Sequence, residues 1–112
     1  MGLIDEVQTI HNESYNKWFE RYFEKYKLEQ KIKVAAQQGY RGYLISIMSL
    51  NDEYTKRRLD DERVLVKLRE LLGESFKIEF KLYYSKIFFT NQSYVSDKKI
   101  HISWEVQNDS EI

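Results

Sequence analysis

Six aromatic side chains fall within the twelve residues Tyr15–Tyr26, YNKWFERYFEKY: Tyr15, Trp18, Phe19, Tyr22, Phe23 and Tyr26. Their spacing of i, i+3, i+4, i+7, i+8, i+11 is that of one face of an α-helix. Polar residues fill the gaps: Asn16, Lys17, Glu20, Arg21, Glu24 and Lys25. The segment reads as the middle of a long N-terminal helix. Its ring face is either the floor of the core or a surface that holds a partner.

That helix is expected to run from about Leu3 to Gln38. The chain has no proline to break it, and Gly39 suits the left-handed residue after a helix end. Such a helix would be about 54 Å long, more than a compact domain of this size spans. The apolar pattern also changes phase. Leu3, Val7 and Ile10 share a side with Leu28, Ile32, Ala35 and Ala36, turned about 100° from the rings. Either the helix breaks at Asn12-Glu13-Ser14, with Asn12 or Ser14 as a new cap, or it is continuous with two apolar faces, one for the core and one for a partner.

After Gly39 the period shortens. Gly42–Leu50 reads as a strand with apolar residues on both sides: Tyr43, Ile45 and Ile47 against Leu44, Met48 and Leu50. That pattern predicts a central or doubly covered strand. Asn51-Asp52 is a turn and cap signal. Glu53–Leu72 is helical, with a possible restart at Asp60-Asp61, and Gly73 ends it. Ser75–Tyr84 alternates Phe76, Ile78, Phe80 and Leu82 with Lys77, Glu79 and Lys81, a half-buried strand. Lys99–Val106 repeats the alternation, with His101 on its wet side. Lys86–Thr90 reads as a short strand, Asn91–Lys98 as a loop, and the polar tail from Gln107 as frayed. The expected fold is a single α+β domain over residues 1–112. It has two layers: a long N-terminal helix and a second helix on a mainly antiparallel sheet of three or four strands, in the order α-β-α-β-β.

Composition narrows the function classes. Of the residues, 42% are hydrophobic and 15% aromatic, which is the composition of a folded chain. Lys and Arg balance Asp and Glu in each third: six against six over 1–38, seven against seven over 39–74, five against five over 75–112. That removes the broad basic field nucleic-acid binding relies on, and equally the acidic field of a DNA mimic. With no cysteine there is no disulfide framework, thiolate metal site or cysteine nucleophile. Acidic MGLIDEVQTI does not read as a signal peptide, and Glu6 stands where a myristoylation motif needs Ser or Thr. No apolar run is long enough to span a membrane.

No motif points to catalysis. His11 and His101 are the two histidines, and neither belongs to a metal-ligand or triad pattern. No enzyme activity, cofactor or metal is expected. Gly39-Tyr-Arg-Gly42 spells the GxxG of a KH loop, but that loop joins two helices and this one leads into a strand. A nucleic-acid alternative rests on Arg41, Lys56, Arg57, Arg58, Lys98 and Lys99. Asp60, Asp61 and Glu62 follow the Lys56–Arg58 cluster directly.

The stronger signal is an excess of rings. Phe76, Phe80, Tyr84, Phe88, Phe89 and Trp104 also seek burial, and tyrosine and tryptophan are favoured at interfaces. A partner-binding face is therefore expected at Tyr15, Lys17, Trp18, Phe19, Arg21, Tyr22, Phe23 and Tyr26, with the two cations fixing register at the rim. A structural homodimer through the same helix is a further alternative.

Ile32-Lys-Val-Ala-Ala-Gln-Gln-Gly39, followed by Tyr43-Leu-Ile-Ser-Ile47, resembles small accessory proteins of phages and prophages of Gram-positive bacteria. The lysine-, tyrosine- and asparagine-rich usage is similar to that of low-GC genomes. The resemblance implies a cytoplasmic protein of a bacterial host that binds and inhibits a host or defence protein, a CRISPR-associated nuclease among the possibilities. It carries over no particular residue.

Overall fold

The computed structural model describes residues 2–104. Within them run α1 (Leu3–Tyr26), α2 (Leu28–Gln37), β1 (Gly42–Ser46), α3 (Glu53–Leu59), α4 (Arg63–Leu72), β2 (Lys77–Lys86) and β3 (Ser93–Ser103). The fold is α+β. Its sheet is three-stranded and antiparallel, in the order β1-β3-β2.

One seam of the sheet makes the core. Ile45 and Ile100 face each other in register, as do Ile78 and Ile102, and all four are buried. Tyr15, Phe19 and Phe23 of α1, Leu28 and Ile32 of α2, and Leu59, Val64 and Leu68 of α3 and α4 close over them. Burying each such side chain contributes about 1.5–3 kcal/mol. The opposite face of the sheet carries Lys77, Glu79, Lys81, Lys99, His101 and Ser103. That follows from the period of two, and it places His101 on the polar side. His101 also explains Gly42, where a Cβ would stand 2.7 Å from the imidazole Nε2.

The helix ends follow local chemistry. Gly39 takes φ +93°, and the amides of Tyr40 and Gly39 donate to the carbonyls of Ala35 and Ala36, a Schellman ending. Asp52 caps α3 by accepting from the Tyr54 amide at 3.1 Å and the Thr55 hydroxyl at 2.6 Å. Asp61 accepts from the Arg63 amide at 2.9 Å, so the helix after Asn51-Asp52 does come in two pieces.

Several sequence expectations are corrected. The first helix is continuous through Asn12-Glu13-Ser14. It breaks at Lys27, whose left-handed backbone (φ 57°, ψ 51°) ends α1 and begins α2. The break lies there because continuing the Tyr15–Phe19–Phe23 row would bury Lys27 or Gln30. Turning the chain brings Leu28, Ile32 and Ala35 inward instead. β1 ends at Ser46 and is an edge strand, not a central one. Leu44 and Met48, which made it look doubly covered, are exposed. Residues 87–91 form no strand; they belong to the turn of a β2–β3 hairpin, closed by the Ile87 amide on the Gln92 carbonyl at 2.9 Å. Most of the stretch expected to be a loop, from Ser93 onward, is β3. Glu105, Val106 and the tail from Gln107 lie outside the described residues.

The molecule is extended, with a radius of gyration of 17.3 Å where a compact chain of this length has about 13 Å. Both the first turns of α1 and the hairpin project. Leu3, Ile4, Val7 and Ile10 are all exposed, as are Phe88 and Phe89 at the hairpin tip.

Two stability changes follow. Phe23→Ala is expected to cost about 3–5 kcal/mol in denaturant unfolding, as for other buried rings. Lys27→Gly is expected to raise stability by up to about 1 kcal/mol, since a left-handed non-glycine residue costs about 1–2 kcal/mol and only part is returned as unfolded-state entropy.

Candidate functional site

Three parallel rows run along α1, each with a step of four residues. Tyr15, Phe19 and Phe23 are buried. Trp18, Tyr22 and Tyr26 are half-buried beside them. Lys17, Arg21 and Lys25 are exposed on the outer side. The helical period alone produces this sorting. It divides the expected partner-binding residues. Tyr15, Phe19 and Phe23 are buried in the core and do not line the groove between α1 and α3. Trp18, Tyr22 and Tyr26 keep an outer edge, and Lys17 and Arg21 stand at the rim.

The half-buried row is held in a fixed pose. Trp18 and Tyr22 stack at 5.2 Å and 19°, and Tyr22 and Tyr26 follow at 5.8 Å. The Tyr26 and Tyr43 hydroxyls hydrogen-bond at 2.6 Å. At the other end the Tyr15 hydroxyl donates to the Arg58 carbonyl at 2.8 Å. The Arg58 guanidinium lies 4.7 Å from the Tyr54 ring centre and about 6 Å from those of Tyr15 and Trp18. It also donates to the Ser14 hydroxyl at 3.1 Å.

An open groove of about 590 Å³ lies between α1 and the start of α3. Trp18 and Tyr22 give it an apolar floor. Lys17, Arg21 and Lys25 line one wall, with Glu13 beyond them, and Tyr54 and Thr55 form the other. A face of this kind takes an apolar anchor flanked by acidic groups. Sequence reading missed Lys25, although it continues the Lys17–Arg21 step. It also missed Tyr54 and Thr55, which the Asp52 cap places on the first turn of α3.

The basic residues of the nucleic-acid alternative do not converge. Arg41 precedes β1 at the Ser103 end of its pairing, whereas Lys99 pairs with Ser46 at the other end. Lys56 meets Glu53 at 3.4 Å, Lys98 meets Asp60, and Lys99 lies 3.8 Å from Asp97. Arg58 is spent on rings. Arg57 is exposed beside it. Among the described residues no group of three His, Cys, Asp or Glu is placed to hold a metal ion, and no helix is long and apolar enough to cross a membrane. His11 meets Arg63, which donates to Asn12 at 3.1 Å and chelates Asp61. The Arg63 guanidinium, bonded to the Asp61 carboxylate, holds that carboxyl below its usual range. This cluster straps α4 to α1. Burial holds the His101 imidazole below its ordinary value; Lys81 adds to this and Glu79 opposes it.

Burial pushes the Tyr22 and Tyr26 phenols above their ordinary value of 10, and the hydrogen bond to Tyr43 adds to it for Tyr26. A phenol whose pKa is raised by folding stabilises the fold below pH 10 and ceases to do so as pH rises beyond it. Stability is therefore expected to fall above about pH 10, and Tyr26→Phe should flatten that fall in chemical denaturation across the alkaline range. Comparison of the chain with protein-family models, with curated proteins and with solved structures finds no match.

Proposed function

We propose that this chain is a non-catalytic binding protein, an accessory protein of the phage or prophage kind that acts in the cytoplasm of a bacterial host by occluding a host or defence protein. A CRISPR-associated nuclease belongs to that class of target. One observation carries the reading: the groove on α1, where the stacked Trp18–Tyr22 pair lies open beside Lys17, Arg21 and Lys25. Paired rings rimmed by cations are the chemistry of an interface hot spot. They bury apolar area at little entropic cost, while the charges steer and orient the partner. The partner surface that fits is an apolar side chain on an acidic segment.

The local pairing of Lys56, Lys98 and Lys99 with acids weighs against phosphate as the ligand. Captured nucleic acid would also be recognisable, since its retention weakens steeply with salt.

Lys17 and Arg21 are exposed, so reversing them leaves the core intact. The double variant Lys17→Glu/Arg21→Glu is expected to lose a protein captured from bacterial lysate, with at least about a thirty-fold loss of affinity and an unchanged circular dichroism spectrum. Undiminished capture by that variant, or recovery of nucleic acid in place of protein, would count against the reading.

A further inference from the structure

The first three turns of α1 contribute nothing to the core. Leu3, Ile4, Val7 and Ile10 are 75%, 64%, 48% and 65% exposed, and the first buried ring is Tyr15. Leu3, Val7, Ile10 and Ser14 follow the 4-3-4 spacing of a helix-pairing seam. Ile10 and Ser14 also line the groove, so the exposed stripe runs directly into it. The charges divide along the groove side of the same helix; Glu20 and Glu24 of its second half line a separate pocket with Phe19 and Phe23. Residues 3–14 hold Asp5, Glu6 and Glu13 and no Lys or Arg. Beyond Ser14 the groove wall is Lys17, Arg21 and Lys25.

We infer that the groove on α1 takes the first half of α1 from a second copy of this chain, in an antiparallel pair crossing at Ser14. This rests on the reading of that face as a docking surface and names its resting occupant. A two-fold axis at Ser14 lays residues 3–10 of each helix over Trp18–Lys25 of the other, so one contact is made twice. Val7 and Ile10 then cover Trp18 and the aliphatic stems of Arg21 and Lys17, and Glu6 comes level with Tyr22, next to Arg21. On the groove side a parallel pair would set the acidic first half against its like and Lys17, Arg21 and Lys25 against theirs, whereas the antiparallel arrangement joins opposite signs there. Ser14 is small enough for the helices to approach at the crossing. In the dimer both the exposed stripe and the groove are covered, so a foreign partner competes with the second copy.

Light scattering after size exclusion tests this at several concentrations. The wild-type chain is expected to run at twice 13.6 kDa and to dissociate on dilution. Val7→Glu, outside the groove, should weaken the dimer by at least about ten-fold with native circular dichroism. Glu6→Lys and Arg21→Glu should each weaken it, and their combination should restore it, because the swap re-forms the pair only in the antiparallel register. A wild-type monomer at every concentration, a dimer indifferent to Val7→Glu, or no restoration by the double swap overturns the inference. The wild-type monomer and the failed swap leave the binding function standing. Conversely, monomeric Val7→Glu that captures no lysate protein removes the foreign partner and leaves the dimer.

Discussion

The packing of Tyr15, Phe19 and Phe23 against the Ile45–Ile100 and Ile78–Ile102 pairs sets the position of every other element. Three long rings in one row hold α1 well off the sheet. The gap is filled by ring surface, not by small side chains that would let the backbones approach. The phenol of Tyr15 reaches through to the Arg58 carbonyl and ties α3 to the same row. Tyr26 reaches the Tyr43 hydroxyl and ties in β1. Tyr15 buries its ring and Tyr26 half-buries its own, and each satisfies its polar end. The neighbouring row of Trp18, Tyr22 and Tyr26 cannot reach the seam. Its half-burial is a direct consequence of the helical angle between the two rows.

The phase change in the apolar pattern was legible, and so was its meaning as either a break or a second apolar face. Both outcomes occur, one at each end of the ring segment. Toward the C-terminal side the chain turns at Lys27 and Leu28, Ile32 and Ala35 are buried. Toward the N-terminal side nothing turns, and Leu3, Val7 and Ile10 stay outside. The ends differ because α2 has β1 to pack against, whereas the first turns of α1 extend past the sheet.

What was not legible has a shared physical cause. The chain lacks proline and has few glycines, so Gly39 and Gly73 are the strongest local boundary signals, and helices do end beside both. Two of the boundaries placed elsewhere by local pattern lie at Lys27 (φ 57°) and Phe89 (φ 68°), left-handed residues of types that give no local signal. At Phe89 the hairpin bonds from Ile87 to Gln92 and Thr90 hold the turn, so tertiary and cross-strand pairing, not residue preference, selects the conformation. The same holds for β3, whose Tyr94 and Val95 looked like loop because their neighbours are Asn, Gln and Ser. The alternation of Ile100 and Ile102, the order of elements and the half-polar sheet were carried by local pattern and needed no such help. The site was half legible. The ring count flagged α1, but which rings stay accessible depends on the sheet's position, and Tyr54 joins the groove only through the fold.

Electrical neutrality and the exposed face are linked. A chain with equal numbers of cations and anions in each third gains little long-range attraction to any polyelectrolyte. Lys56, Lys98 and Lys99 each have an acid close at hand, so their charge is largely screened before a ligand arrives. Along α1 the signs are separated instead: anions in its first half and at Glu20 and Glu24, which line a separate pocket with Phe19 and Phe23, and cations on the groove wall at Lys17, Arg21 and Lys25. A surface with no net charge but a strong local division of charge recognises by orientation, not by bulk attraction. It favours a polypeptide with its own division of sign over a uniform phosphate backbone. The first half of the same helix is such a polypeptide, and any competing partner has to offer the groove the same combination of apolar side chain and acid.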